Sequence, residues 1–292
     1  MTKNYGINLE LEAQHRSEQD WVFGAESPKD IAQIPEAIRT MYLPRGEVQR
    51  GQEDLMDCAT RGPINVLETK FSWLYRNKKL KPENLKWLED KGYVDNEGKI
   101  TLSDAFIAIN SHTTRQGNSL IAPLDAIRKC GLIPKKLLPL EPSMTFDEYH
   151  NPQRITGDMT QLGLEFLKRF TLARETVMEK DYGTLLLEDM LIVAGFAWPQ
   201  PINGEYPKSG NQPNHCFIIF NEPKYYAFDN YLDVIDNDFV KKLTGDYDFL
   251  DYGYRIIITS ENVVSTPVTP QPTGFWYNII NFISNYIKDI FR

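Results

Sequence analysis

The chain has 292 residues, 41% hydrophobic and 25% charged, enough for one large domain or two lobes around a substantial core. Its net charge of −8 and pI near 5.2 argue against nucleic-acid binding, which usually needs a basic face. Cys58, Cys130 and Cys216 form neither a disulfide framework nor a CxxC zinc pattern, so reduced thiols with no metal and no cofactor are expected.

Residues 1–19 are polar and weakly periodic and read as a loose arm. They lack the apolar core of a secretory signal peptide, which with reduced cysteines points to the cytoplasm. No uninterrupted apolar run reaches the roughly eighteen residues a membrane span requires. From Asp20-Trp21 to Gly51 the prolines at 28, 35 and 44 predict an irregular strap laid over a body, with a short helix over 35–41.

Behind Asp54 and Asp57, the spacing of Ile64, Leu67, Phe71 and Leu74 predicts a helix opening at Cys58. Pro63 inside it implies a later start or a kink. Further helices are predicted over Pro82–Lys91 with Gly92 closing it, over 103–109 with Ser103 as cap, and over 123–129 stopped by Gly131. RQGNSL reads as a turn and 134–157 as a proline-broken loop. Met159, Leu162, Phe166, Phe170, Ala173 and Val177 predict a long helix over 159–180.

After Gly183 the pattern turns to strands: MLIVAGFAW, HCFIIF, YYAFDNYL and YRIIIT, separated by Pro, Asn and Gly. A helical front and a β-rich back predict an α+β fold with two lobes facing each other, a helical one over about 52–133 and a β-rich one over about 134–260. A proline-rich linker follows at 261–274, and 275–292 reads as an amphipathic helix with Trp276, Ile279, Ile280, Ile283, Ile287 and Ile290 on one face. That helix is expected to dock on its own domain or on a protein partner. Its polar face and few basic residues argue against membrane contact.

Three separated pieces could share one site. Cys58 opens a helix, where the dipole and exposed amides favour thiolate. His215 begins an apolar strand after a loop, and Asp229 and Asn230 end the next strand, brought back beside it by the NEPK turn. One of that pair can orient the imidazole, and only one, because neighbouring strand residues alternate. Gln52, six positions before Cys58, is placed to donate to an oxyanion. Taken singly, each has an ordinary explanation: a small buried thiol, a half-buried histidine, a turn-forming Asp-Asn and a surface amide. Cys130 and Cys216 read as core thiols, His15 and His150 as solvent-facing, and His112 as a weak competitor.

This set of residues, in this order, resembles the papain-like cysteine peptidases over about residues 20–259. Gln52 and Cys58 match that family's oxyanion glutamine and nucleophile, and Asp20-Trp21 its early aspartate-tryptophan. GNSLIAPLDAIRKCGLIP is similar to the glycine turn and following helix, and MLIVAGFAW with NHCFIIF to the strand before the histidine and the histidine strand. DNYL is similar to the asparagine-serine-tryptophan stretch, which favours Asp229 as third catalytic residue with Asn230 as the fallback.

The resemblance implies a two-lobed fold with a cleft between the lobes, and a peptidase that cleaves peptide or protein amides through a Cys thiolate and an acyl-enzyme. DWVFGAES, EVQRG and GYVDNEGKITLSD resemble a branch associated with bacteriophage and metagenomic genomes, so a non-catalytic structural protein of a phage virion is the alternative, and a cell-wall amidase another. The chain departs from the family at Ala59, where a tryptophan is usual, at Met56-Asp57, where glycine and serine are usual, and in lacking the family's disulfides. Fewer than twenty residues precede the strap, too few for the family's inhibitory propeptide.

Overall fold

The structure is a computed structural model that describes residues 6–15, 21–22, 29–46, 54–221, 225–231 and 238–262, with 21–22 as backbone only. Gln52, most of the proline-rich linker and the C-terminal amphipathic helix lie outside the described residues.

In chain order come α1 (Leu9–His15), β1 (Trp21–Val22), a 3-10 turn at Glu36–Tyr42, α2 (Cys58–Arg76), α3 (Pro82–Lys91), α4 (Asp104–Asn110) and α5 (Ile121–Cys130). The single-turn α6 (Phe146–Tyr149) and α7 (Gly157–Arg169) lead into β2 (Phe170–Met178), then α8 (Tyr182–Glu188) and β3 (Leu191–Gly195). The chain continues through β4 (His215–Phe220), β5 (Tyr226–Phe228), β6 (Val240–Lys242) and β7 (Tyr252–Glu261). The strands pair in the order β1-β2-β7-β3-β4-β5-β6, antiparallel except for β1 beside β2. Helices gather at the front of the chain and strands at the back, an α+β arrangement. Among the described residues no helix is long and apolar enough to cross a membrane.

α2 runs unbroken through Pro63, and every residue in it except Trp73, Tyr75 and Arg76 is buried. Packing on all sides outweighs the roughly 3 kcal/mol that a mid-helix proline costs, so neither a late start nor a break is needed. Local signals fix the shorter helices. Pro82 occupies the first turn of α3, and Gly92, at φ +79°, ends it in the left-handed conformation that glycine adopts freely. The Ser103 hydroxyl accepts from the Phe106 N–H at the start of α4.

The helix expected over 159–180 is corrected. α7 stops at Arg169, and the next nine residues form β2, paired with β7 from Phe170 opposite Glu261 to Met178 opposite Tyr252. The apolar spacing of Phe166, Phe170, Ala173 and Val177 suits a helix, but a ladder along the whole of β7 decides otherwise. Arg174 and Glu175, good helix formers in isolation, become buried partners of Asp125 and Arg255. The 134–157 stretch is also more ordered than a loop, since Thr145 and Glu148 form a capping box for α6.

Alternation along the central strands divides the core. Cys216, Ile218 and Phe220 of β4, with Ile192 and Ala194 of β3, face a cluster built on α2. Phe217 and Ile219, with Leu191 and Val193, face a second cluster around Tyr182, Leu185 and Tyr247. His215 and Cys216 therefore open β4 on opposite faces of the sheet.

Candidate active site

Gly62 sets the distance between α2 and the sheet. A Cβ there would lie 2.8 Å from the Cys216 sulfur and 3.2 Å from Ile192 Cγ2. This close approach brings the first residue of α2, Cys58, against the start of β4, where its sulfur accepts a hydrogen bond from the Cys216 N–H at 3.4 Å. Cys58 is fully buried. Burial pushes its thiol well above the ordinary value; Cys216 and the carboxylates of Asp57 and Asp54 push the same way, and the Cys216 amide offsets them in part. The lowering expected from the helix terminus is overturned in this closed conformation, because loss of solvent outweighs the dipole.

His215 is fully buried, and its Nε2 lies 2.8 Å from Asp229 Oδ2. The ring sits between Trp198, edge-on at 5.8 Å, and Tyr231 at 5.5 Å. Asp229 has four donors. Oδ2 takes the His215 ring and the Trp198 indole N–H at 3.2 Å, while Oδ1 takes Lys241 Nζ at 2.5 Å and the Tyr231 N–H at 3.2 Å. Burial alone would raise this carboxyl, but Lys241 and then His215 outweigh it and hold Asp229 below its ordinary value. Asn230 turns the other way, accepting from the Asn65 side chain of α2 at 2.8 Å. The structure thus brings Asp229, and not Asn230, to the imidazole. Since Nε2 is the nitrogen on Asp229, Nδ1 is the one that would exchange a proton with a nucleophile.

Residues 6–15 of the N-terminal arm are packed against the body. Gly6, at φ +112°, is packed so closely over the start of α2 that a Cβ on it would lie 2.6 Å from the Met56 carbonyl oxygen and 3.1 Å from the Cys58 sulfur. Ile7 bridges Asn118 in parallel, with the Asn118 N–H donating to the Gly6 carbonyl at 2.9 Å and the Asn8 N–H to the Asn118 carbonyl at 2.8 Å. Gly117 allows this approach, because a Cβ there would lie 2.1 Å from the Gly6 oxygen. Glu12, buried in α1, anchors the arm. Its Oε2 accepts from the Leu120 N–H at 2.6 Å and more weakly from that of Ile121, and its Oε1 accepts from the Tyr252 and Tyr254 hydroxyls at 3.1 Å.

Sequence reasoning missed Lys241, Trp198 and this arm. One signal for Lys241 was readable: two places on, Leu243 is fully buried, so the lysine stands where the alternation calls for an apolar side chain. Trp198 carried none beyond its place after β3, and Glu12 sits in a stretch with no helical periodicity of its own.

Sheet order, buried central helix and the His215–Asp229 pair define the class of fold, and solved structures identify it. Xylellain, a cysteine protease from Xylella fastidiosa, superposes with a TM-score of 0.50 at 12% identity, over 85% of this chain and 94% of that one. The cysteine protease and lectin-like domains of a surface layer associated protein of Clostridium difficile give 0.50 at 11% identity, over 86% and 55%. The chain has the papain-like α+β fold. No family model matches its sequence, and no curated protein is similar to it in sequence.

Proposed function

We propose that this protein is a papain-like cysteine peptidase acting on peptide or protein amides, described here with its own N-terminal arm lying over the nucleophile. The observation that carries the reading is the buried His215–Asp229 pair at the head of the strand whose next amide touches the Cys58 sulfur. With the arm displaced, Cys58 would pass its proton to His215 Nδ1 and attack the substrate carbonyl. A C–S bond forms, the C–N bond breaks, and the imidazolium gives its proton to the leaving amine. Water, deprotonated by the same ring, then releases the acid from the acyl-enzyme. The Cys58 N–H, in the first turn of α2 where amides lack intrahelical acceptors, would hold the oxyanion together with Gln52.

The complete burial of the sulfur favours a second reading, a protein that keeps the fold for assembly without turnover. A peptide-like thiol electrophile separates the two. On the full chain carrying Glu12→Ala, which frees the arm, the peptidase reading expects an adduct on Cys58 that disappears in Glu12→Ala/Cys58→Ala. A folded Glu12→Ala chain that takes no label at Cys58 would overturn it in favour of the assembly role.

A further inference from the structure

Lys241 is a buried charge that this chemistry leaves without a task, its side chain 1% exposed. An ammonium in such a place is unfavourable unless fully partnered. Here Nζ lies 2.5 Å from Asp229 Oδ1, 2.6 Å from the Tyr231 carbonyl oxygen and 5.1 Å from the centre of the Trp198 ring. Asp229 therefore divides its two oxygens, one to His215 and one to Lys241.

We propose that Lys241 is a positioning residue that sets the proton affinity of His215 by sharing the charge of Asp229, an inference that rests on the peptidase reading above. A carboxylate serving the imidazole alone would favour the imidazolium more strongly. A ring with that higher proton affinity is a weaker acid toward the leaving amine. With the ammonium on the other oxygen the Asp229–Lys241 pair is neutral overall, so it orients the ring without fixing its charge. Among the described residues, Asp229 and the rings of Trp198, Phe217 and Tyr231 lie against the imidazole. The titratable groups next in line, Cys216 and Tyr247, are raised by burial and by the Asp229 charge and add no cation.

The test is an NMR titration of the His215 ring in the full-length chain carrying Cys58→Ala, so that no thiol titrates beside it. Adding Lys241→Met is expected to raise the His215 pKa by about one unit or more. An unchanged value in a folded Lys241→Met chain overturns the proposal. Should that chain not fold, Lys241→Gln, which can still donate to Asp229 but carries no charge, is titrated in its place: the pKa must again rise, and an unchanged value overturns the proposal. The titration needs no turnover. A chain that fails to label at Cys58 refutes the peptidase, whereas an unmoved titration refutes the role of Lys241 alone.

Discussion

Asp229 and Asn230 show what one residue of register decides. The alternation rule allowed only one of them to face His215, and the backbone alone could not say which. The structure puts a carboxylate on the imidazole and the amide on Asn65, 165 positions away in sequence. In a chain with the arm freed, Asp229→Ala should slow electrophile labelling of Cys58 by about 100-fold or more, since the ring loses its orienting partner. Asn230→Ala should leave the labelling rate within a few fold and cost about 1 kcal/mol of stability for the lost hydrogen bond. Equal effects on labelling would refute the division of roles. Lys241 could not be found in the same way, because its partner is twelve residues off and its meaning depends on a contact that no local pattern encodes.

At the scale of elements, the legible parts were those with local signals. α3 and α4 carry their caps in the sequence, and the run HCFIIF reads as a strand wherever it is placed. The parts that misled were those decided by distant partners: β2 by β7, and α1 by the four donors that converge on Glu12. Hydrogen bonds to a charged group contribute roughly 1.5–3 kcal/mol each, so Glu12→Ala should raise the open population, and with it the rate of Cys58 labelling, at least about tenfold. Comparison of labelling time courses for the two full-length chains checks this; indistinguishable rates would mean that the arm does not gate the thiol.

Distant parts of the unit that ends at Asn262 are tied together at Lys70. Its fully buried ammonium meets Asp30 at 2.5 Å, Asp189 at 2.7 Å and the Ile256 carbonyl at 2.6 Å, joining the strap, α2, the segment before β3, and β7. Arg255 reaches the same Asp189 at 2.8 Å. Lys70→Met strands Asp30 and should cost about 3–5 kcal/mol, lowering the thermal midpoint by on the order of ten degrees. Lys86→Ala, which removes an exposed pair with Asp90, should leave the midpoint where it is.

Acid stability follows from the same buried carboxylates, whose contributions have opposite signs. Burial would raise Asp189, but Lys70 and Arg255 hold it below its ordinary value, as Lys241 and His215 do for Asp229. Their stabilisation is complete above the unfolded aspartate value of about 3.9 and is lost as pH falls through their lower folded values. Asp57 is the reverse case: burial raises it, Arg61 opposes this, and Asp104 adds to it. The folded chain therefore takes up a proton at Asp57 before the unfolded chain does, so its contribution to stability rises as pH drops from neutral toward about 3.9. Glu179, raised by burial and then by Asp251, adds in the same sense from a more exposed site. His150 opposes them: burial lowers its ring to about 4, so the unfolded chain takes up that proton first and stability is lost as pH falls from about 6.5. Asp57→Asn should therefore make the loss of stability below neutral pH steeper than in the wild type while leaving the acid limb set by Asp189 and Asp229 in place. Denaturant midpoints measured across pH would show this; parallel curves for the two chains between neutral pH and about 4 would contradict it.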